Sequence, residues 1–263
     1  MIRVLQLNCG RAESVMNELG VVAREKGINV CLLQEPLVRN ERVIGLPAGT
    51  NVFNSEWAAV VVDSKEMDVM CVEECTNEWG VCVRLDSKTG SMYVCSMYCK
   101  FNREIEPYLE YLERVIDCAK GRPLIVGMNA NAVSPMWHSK NAEDKDEREE
   151  RGNKLEQMIS AKELIVLNEP SEYYTFSGPN GESDIDVTLG NAALLKYECN
   201  WELKIEWCES DHNAMLIEIR PDEQEKINKK VTKNRWKLKG ADWEKYGKEV
   251  HVELEKIGYG NFL

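Results

Sequence analysis

Residues 123–131 read PLIVGMNAN, an apolar run typical of a buried strand that is closed by two amides, Asn129 and Asn131. Four other segments also place polar side chains at the end of an apolar strand: 5–8 (LQLN), 32–36 (LLQEP), 183–187 (SDIDV) and 209–213 (ESDHN). Tyr98 similarly ends the run MYVCSMY. Open α/β sheets carry their sites at strand ends, so these segments predict where the functional residues lie.

Strand-like runs alternate with helical patterns along most of the chain. The predicted strands are 3–8, 29–34, 58–63, 81–85, 92–98, 124–127, 185–189 and 214–219. The predicted helices are about 13–26, 105–120 and 149–162. Between 67 and 98 the strands follow one another without a helix, which predicts mixed, partly antiparallel sheets in an α/β fold.

The composition, with 43% apolar and 30% charged residues, is typical of a soluble globular protein. No apolar run is long enough to span a membrane, and the start, MIRVLQLNCG, does not resemble a signal peptide. The net charge of −12 counts against a nucleic-acid binder. However, DNA binding depends on the local electrostatic field over the binding cleft and not on the total charge. The net charge therefore predicts weak, salt-sensitive DNA affinity rather than none.

Ten cysteines raise the question of disulfides or zinc. No CxxC pair occurs, and most of the cysteines lie in apolar strand-like runs. We therefore expect small buried side chains in a reducing compartment, none of which ligates a metal.

Two charged segments are interpreted as peripheral. The run 141–151, NAEDKDEREER, is predicted to be a solvated loop followed by a first helical turn. After Pro221 the composition shifts to ten Lys and Arg against eight Asp and Glu with few apolar residues. We place a domain boundary there, with a domain at 1–221 and a linker at 222–263.

Single motif residues also have structural explanations. Glu35 before a proline suits an exposed turn, Asn8 a turn, and Asp186 a hydrogen bond at a strand end. Asp211 beside His212 is more suggestive of acid–base or phosphate chemistry. His138 is interpreted as loop structure, and His251 as a solvated residue of the tail.

Taken together and in order, the segments resemble the endonuclease/exonuclease/phosphatase superfamily, which includes AP endonucleases and DNase I. The resemblance covers about 1–220 and implies a four-layer α/β sandwich with two mixed β-sheets flanked by helices (DNase I-like). More narrowly, LQLNCGRAESVMNEL, LLQEP, NANAVSPMWHS, TFSGPNGESDIDVTL and ESDHN are similar to the endonuclease domain of LINE-like, non-LTR retrotransposons. The segments are similar to those of retrotransposons that insert at defined target sequences, such as ribosomal DNA or telomeric repeats. The segment 234–243 is similar to the linker that leads to a reverse transcriptase.

The resemblance implies a role for each motif residue. Glu35, with Asn8 nearby, holds Mg²⁺, with Mn²⁺ as an alternative. Asp211 orients His212, which contacts the phosphate, and Asp186 supports the histidine or the metal. Asn131 hydrogen-bonds the phosphate, and Tyr98 does likewise or assists the leaving group.

The chain departs from the family at position 129, where the pattern Gly-x-Asp-x-Asn has Asn129 in place of the aspartate that activates water. An amide has nearly the same shape but cannot accept the proton, so we expect crippled chemistry with retained DNA and metal binding. The residue is either an engineered or a natural change, and its isosteric nature favours engineering.

Three functions are compatible with these residues. The first is a Mg²⁺-dependent endonuclease that acts in the nucleus and nicks double-stranded target DNA to prime a covalently linked reverse transcriptase. The second is a target-DNA recognition module without chemistry. The third, disfavoured because only His212 falls in a motif, is a phosphatase, sphingomyelinase or deadenylase of the same superfamily. The loops at 38–51 and 171–183 and the segment before Asp211 are expected to carry target specificity.

Overall fold

The computed structural model describes residues 1–47, 49–63, 67–87, 90–140, 147–179 and 181–221. Sixteen strands follow in chain order: β1 (Ile2–Asn8), β2 (Val30–Gln34), β3 (Val38–Arg39), β4 (Arg42–Val43), β5 (Asn51–Asn54), β6 (Ala58–Val62), β7 (Asp68–Cys71), β8 (Gly80–Ser87), β9 (Gly90–Tyr98), β10 (Leu124–Asn129), β11 (Ile165–Val166), β12 (Phe176–Gly178), β13 (Gly181–Ser183), β14 (Asp186–Gly190), β15 (Tyr197–Lys204) and β16 (Ala214–Pro221). The α-helices are α1 (Glu13–Glu25), α2 (Glu106–Ala119) and α3 (Glu147–Ala161).

Two six-stranded mixed sheets form the centre of the fold. The first sheet has the order β15-β16-β1-β2-β6-β5, and the second has the order β11-β14-β10-β9-β8-β7. In the first, β1 is parallel to β2 and antiparallel to β16; in the second, β10 is parallel to β9 and antiparallel to β14. Strands β12 and β13 form a separate hairpin, as do β3 and β4.

The apolar residues of the described chain form three core clusters. One lies between the sheets and contains Val4, Leu32 and Val94. A second packs α1 against the outer face of the first sheet, and a third packs α2 and α3 against the outer face of the second. Three interfaces separate four layers, so the predicted four-layer α/β sandwich is confirmed.

All eight predicted strands and all three predicted helices are present, with ends shifted by up to two residues. Eight strands were missed, and the longest of them is β15. Its burial alternates only in part, because it lies at the edge of the first sheet and much of its surface is exposed. Its pattern therefore lacks the continuous apolar run that marks the central strands.

The interpretation of the cysteines needs a correction. Cys75 and Cys118 form a disulfide between the 3-10 turn at Glu73–Cys75 and α2, so these two are not free thiols. Of the eight free cysteines, Cys71, Cys199 and Cys208 are only partly buried. The chain pattern could not reveal the pairing because the two partners are 43 residues apart and are joined only by the packing of α2.

No helix among the described residues is long and apolar enough to cross a membrane.

Deletion of 222–263 is expected to leave a folded domain, because the first sheet is completed by β16, which lies between β15 and β1. Residues 222–263 lie outside the described part of the chain, so the proposed boundary at Pro221 remains a prediction. Circular dichroism and thermal unfolding of the truncated protein would measure the effect. A chain cut at 213, which also loses β16, is the control and should not fold; failure of the longer fragment to fold would refute the boundary.

Candidate active site

The face of each sheet that looks into the sandwich changes from apolar to polar toward one end. Because side chains alternate along a strand, residues two apart share a face. In β1, Val4 packs between the sheets and is followed on the same face by Gln6 and then Asn8. Equivalent series are Val94, Ser96 and Tyr98 in β9, and Ile125, Gly127 and Asn129 in β10. Three of the predicted site residues, Asn8, Tyr98 and Asn129, are thus the last members of these inward-facing series.

Seven of the eight predicted site residues form a ring of neighbours at this end of the sandwich. The ring is closed by Ser210, and its members in order are Asn8, Glu35, Tyr98, Asn131, Asn129, Asp186, His212 and Ser210. Residues distant in sequence, from both sheets, are therefore held around one site.

Glu35 lies immediately after β2 in a left-handed conformation, with φ 46°. Asn8 Nδ2 donates a hydrogen bond to Glu35 Oε2 at 3.0 Å. The Tyr98 hydroxyl, from the other sheet, interacts with the Glu35 carboxylate and with the side chain of Asn131. Burial and then the negative charge of Glu35 raise the pKa of Tyr98 well above its usual value. Tyr98 is therefore a hydroxyl donor at neutral pH and not a base.

Asn129 is the last residue of β10 and lies between Tyr98 of β9 and Asp186 of β14 in the strand register. Its side chain is almost fully buried, and Oδ1 accepts a hydrogen bond from the backbone N–H of Asn131 at 3.0 Å. Asn131 has a left-handed backbone with φ 47°, and its Nδ2 donates to the Cys99 carbonyl at 2.9 Å. These bonds fix the orientation of both amides. An aspartate at position 129 would have an oxygen in place of the Asn129 Nδ2 group.

His212 forms the other side of the ring. Its Nδ1 lies 2.7 Å from Asp186 Oδ2, and the Phe176 ring packs against the imidazole with centroids 4.8 Å apart. Asp186 is 0% exposed, and its Oδ1 has no hydrogen-bond partner among the described residues. A buried carboxylate on Nδ1 holds a proton there and leaves Nε2 as the second ring nitrogen for substrate.

The geometry differs from expectation at Asp211, which was predicted to orient His212. Asp211 is exposed, and its Oδ2 lies near the hairpin, 3.3 Å from where a Cβ on Gly178 would be. The carboxylate that contacts the His212 ring belongs to Asp186. Asp211 is therefore directed toward the hairpin, whereas His212 faces the ring.

A layer of buried polar side chains lies directly beneath the ring and joins the two sheets. Gln34 Nε2 donates to Ser96 Oγ at 2.9 Å and to the Gly127 carbonyl at 3.1 Å. Gln6 Nε2 donates to the Met128 carbonyl at 3.1 Å, while Gln6 Oε1 accepts from Thr188 Oγ1 at 2.8 Å. Buried hydrogen bonds of this kind fix the relative position of the sheets and hence of the ring, although Gln34 Oε1 itself has no partner among the described residues. Their role was missed, although each of these side chains lies one or two residues from a predicted site residue.

Gly127→Ala is expected to destabilise the protein by about 1–3 kcal/mol through overpacking. A Cβ there would lie 2.8 Å from Gln6 Oε1 and 3.0 Å from Leu32 Cδ1, and Gln6 cannot move without breaking its hydrogen bonds. Urea unfolding would measure the loss. Gly190→Ala is the matched control, since its closest contact is the end of the Leu194 side chain; equal losses in both would contradict this account.

Arg151 corrects the interpretation of the charge run at 141–151. The described part of that run, from Glu147, is helical, but Arg151 is only 4% exposed. Its guanidinium donates to the carbonyls of Ala130, Asn131 and Arg103 at 3.2, 3.0 and 2.6 Å. The side chain thereby holds the loop that carries Asn131, whereas residues 141–146 lie outside the described chain.

The remaining histidines lie elsewhere. His138 follows a 3-10 turn with φ 63°, in a loop held by hydrogen bonds from Trp137 and Ser139 to the Asp184 carbonyl. That placement outside the ring agrees with its interpretation as loop structure. His251 lies beyond the described residues.

The residues that could hold a metal are Glu35 and Asn8. Among the described residues no group of three or more His, Cys, Asp or Glu side chains is placed to bind a metal ion. One carboxylate with one amide does not match a zinc site, but it fits Mg²⁺, which keeps several waters and takes one or two protein carboxylates.

The two-sheet sandwich with this ring at one end defines the class of endonuclease/exonuclease/phosphatase proteins. An AP endonuclease from Leishmania major has the same fold at a TM-score of 0.65 and 13% identity, over 83% of this chain and 87% of that one. The endonuclease domain of TRAS1, a telomere-specific non-LTR retrotransposon, matches with a TM-score of 0.74 and 30% identity, over 84% of this chain and 98% of that one.

Sequence relatives agree with the structural match. A family model described as endonuclease-reverse transcriptase matches residues 92–216. The Pol polyprotein of the type-1 retrotransposable element R1 of Bradysia coprophila is 40% identical over 230 residues, and a putative 115 kDa protein of element R1DM of Drosophila melanogaster is 34% identical over 262 residues. These matches cover 84% and 98% of this chain. The chain belongs to the family of non-LTR retrotransposon endonuclease domains, and it spans about a quarter of the length of these relatives, 23% and 26%.

Proposed function

We propose that this domain is a divalent-metal-dependent DNA endonuclease that makes a nick in target DNA, and that Asn129 greatly slows the chemistry. The observation that carries the proposal is the ring, which brings Glu35, Asn129 and His212 together around one cleft. Phosphodiester hydrolysis needs a cation, donors on the phosphate oxygens and an activated water. The ring has a residue suited to each requirement except the last.

On one side of the ring, Glu35 and Asn8 would hold Mg²⁺ or Mn²⁺. The cation, when bound, neutralises charge on the phosphate and the leaving oxygen. Asn8 orients the Glu35 carboxylate through its 3.0 Å hydrogen bond. Tyr98, kept protonated by its raised pKa, donates a hydrogen bond to the phosphate or to the leaving oxygen.

On the other side, His212 and Asn131 would contact the phosphate. Asp186 accepts the hydrogen bond from His212 Nδ1 and so leaves Nε2 to contact the phosphate. Asn131 is fixed by Arg151 and by the Cys99 carbonyl, so its amide is available at low entropic cost. Asn129 can hold a water by hydrogen bonding, but it cannot take its proton.

The substrate in this proposal is double-stranded target DNA in the nucleus. The nick would supply a 3′ end for a reverse transcriptase in the same polyprotein. This is in keeping with a match to a family described as endonuclease-reverse transcriptase and with relatives about four times the length of this chain. Residues 222–263 would then lead to the polymerase.

The proposal is tested by incubating the Asn129→Asp protein with a library of duplexes in Mg²⁺ and mapping the nicks, with EDTA as the metal-free control. Defined nicks that need the metal are the expected result. Turnover of an inositol or lipid phosphate without nicking would instead favour the phosphatase alternative, and DNA binding with no cleavage by either form would favour a recognition module.

A further inference from the structure

Two positively charged side chains contact the same indole ring beside the candidate metal site. The Arg11 guanidinium lies 3.8 Å from the centroid of the Trp57 ring, and Lys100 Nζ lies 3.7 Å from it. Arg11 is exposed, and Trp57 and Lys100 are half-buried. Cations at these distances are held by the ring quadrupole, which limits their motion without neutralising their charge.

The cluster adjoins Glu35 through both backbone and side-chain contacts. The Glu35 N–H donates to the Trp57 carbonyl, and the Arg11 N–H donates to the Glu35 carbonyl, each at 2.9 Å. The Trp57 ring also stacks on Tyr98, with centroids 5.5 Å apart and planes inclined by 12°. The Tyr98 hydroxyl contacts Glu35, the proposed metal ligand. Arg11 and Lys100 are therefore linked to this carboxylate through the stacked rings of Trp57 and Tyr98.

Neither of these two positively charged side chains forms a salt bridge within the described part of the protein. Neither Arg11 nor Lys100 has a carboxylate within salt-bridge distance there, whereas the partly buried Arg84 and Lys162 are paired with Asp86 and Glu113. The chain has 45 acidic residues against 33 basic ones, so carboxylates are abundant. Two cations held on one indole ring beside the site, neither of them in a salt bridge among the described residues, are suited to contact an anion.

We propose that Arg11, Trp57 and Lys100, together called the cationic clamp, bind the backbone of target DNA at a phosphate next to the scissile one. This rests on the proposed function, because the scissile phosphate is taken to lie over the ring. Side chains that contact phosphates fix the register of a protein on DNA without reading sequence. The clamp would hold the strand on the Glu35 side of the cut, and its cations, already ordered on Trp57, would lose little entropy on binding.

The alternative is that Arg11 and Lys100 merely offset the charge of Glu35. The test is the binding of the intact chain to a labelled duplex by fluorescence anisotropy in EDTA, at several salt concentrations. The dependence of log K on log salt has a slope of about −0.9 per phosphate neutralised. Arg11→Gln with Lys100→Gln should weaken binding and reduce that slope by about 1–2. The conservative pair Arg11→Lys with Lys100→Arg should restore it.

The matched control is Arg84→Gln with Lys162→Gln, which removes the same charge away from the ring. An equal reduction in slope for both pairs, or none for the clamp pair, overturns the clamp while the proposed function stands. If the unaltered chain binds no duplex DNA in this assay, the proposed function itself fails, and the clamp fails with it.

Discussion

Replacing Asn129 by aspartate is expected to raise nicking of supercoiled plasmid by at least about a hundredfold, the lower end of general-base effects. Asn129 Oδ1 already accepts the backbone N–H of Asn131, so one carboxylate oxygen would keep that bond. The other would replace Nδ2 with an acceptor that can take a proton from water. The shape of the side chain is unchanged, so affinity for DNA should change little. Single-turnover nicking rates in Mg²⁺ and binding measured in EDTA would separate these effects.

Asn131→Asp provides the matched control, because it makes the same amide-to-acid change two residues away. Asn131 uses Nδ2 to donate to the Cys99 carbonyl, and a carboxylate there would lose that bond. No gain in nicking is expected. If the chain with Asn129 already cuts as fast as the Asn129→Asp protein, the water-activating role is misassigned, and the base must be sought among Asp186 and Asp211.

In the Asn129→Asp background, Asp186→Asn is expected to lower the nicking rate by about a hundredfold or more. The Asp186 carboxylate is fully buried and lies 2.7 Å from His212 Nδ1, so it sets the tautomer and the orientation of the imidazole. An amide keeps the volume but removes the charge. His212→Ala in the same background should abolish the gain. Plasmid nicking would measure both, with circular dichroism as a check on folding.

Asp211→Asn is the control for Asp186→Asn, because Asp211 is adjacent to His212 in sequence but exposed and directed toward the hairpin. A much smaller loss is expected for it. Should Asp211→Asn prove the more damaging change, Asp211 would be the residue that orients His212 when DNA is bound, as the family pattern had suggested.

Much of the site could be predicted because its residues continue the period of the strands that carry them. Asn8, Tyr98 and Asn129 each end a strand whose alternate apolar side chains face the other sheet. The same alternation therefore predicts both the strand and the position of its site residue. Glu35 follows such a run directly. The same runs, with the three predicted helices, indicated an α/β fold with mixed sheets, whereas the four-layer sandwich was implied by the resemblance of the motifs to the superfamily.

What could not be predicted depends on contacts between distant segments. Arg151 lies in a segment dense in charge, and only the docking of α3 shows that its guanidinium holds the Asn131 loop. Asp186 begins β14 of the second sheet, whereas His212 precedes β16 of the first sheet. Their contact therefore joins segments from different sheets. The disulfide of Cys75 depends likewise on where α2 packs. Local pattern carries no information about any of these pairings.

The pairing of β1 with β16 has a consequence for synthesis on the ribosome. β1 lies between β2 and β16, with Ile2 opposite Ile219, so the first strand to be made completes its hydrogen bonds only with the last strand of the described residues. Domains emerge N-terminal end first, at roughly 5–20 residues per second. Asn8 and His212, joined through Ser210, cannot meet until that strand has left the exit tunnel. A nascent or prematurely terminated chain that ends before β16 is therefore expected to lack the assembled ring.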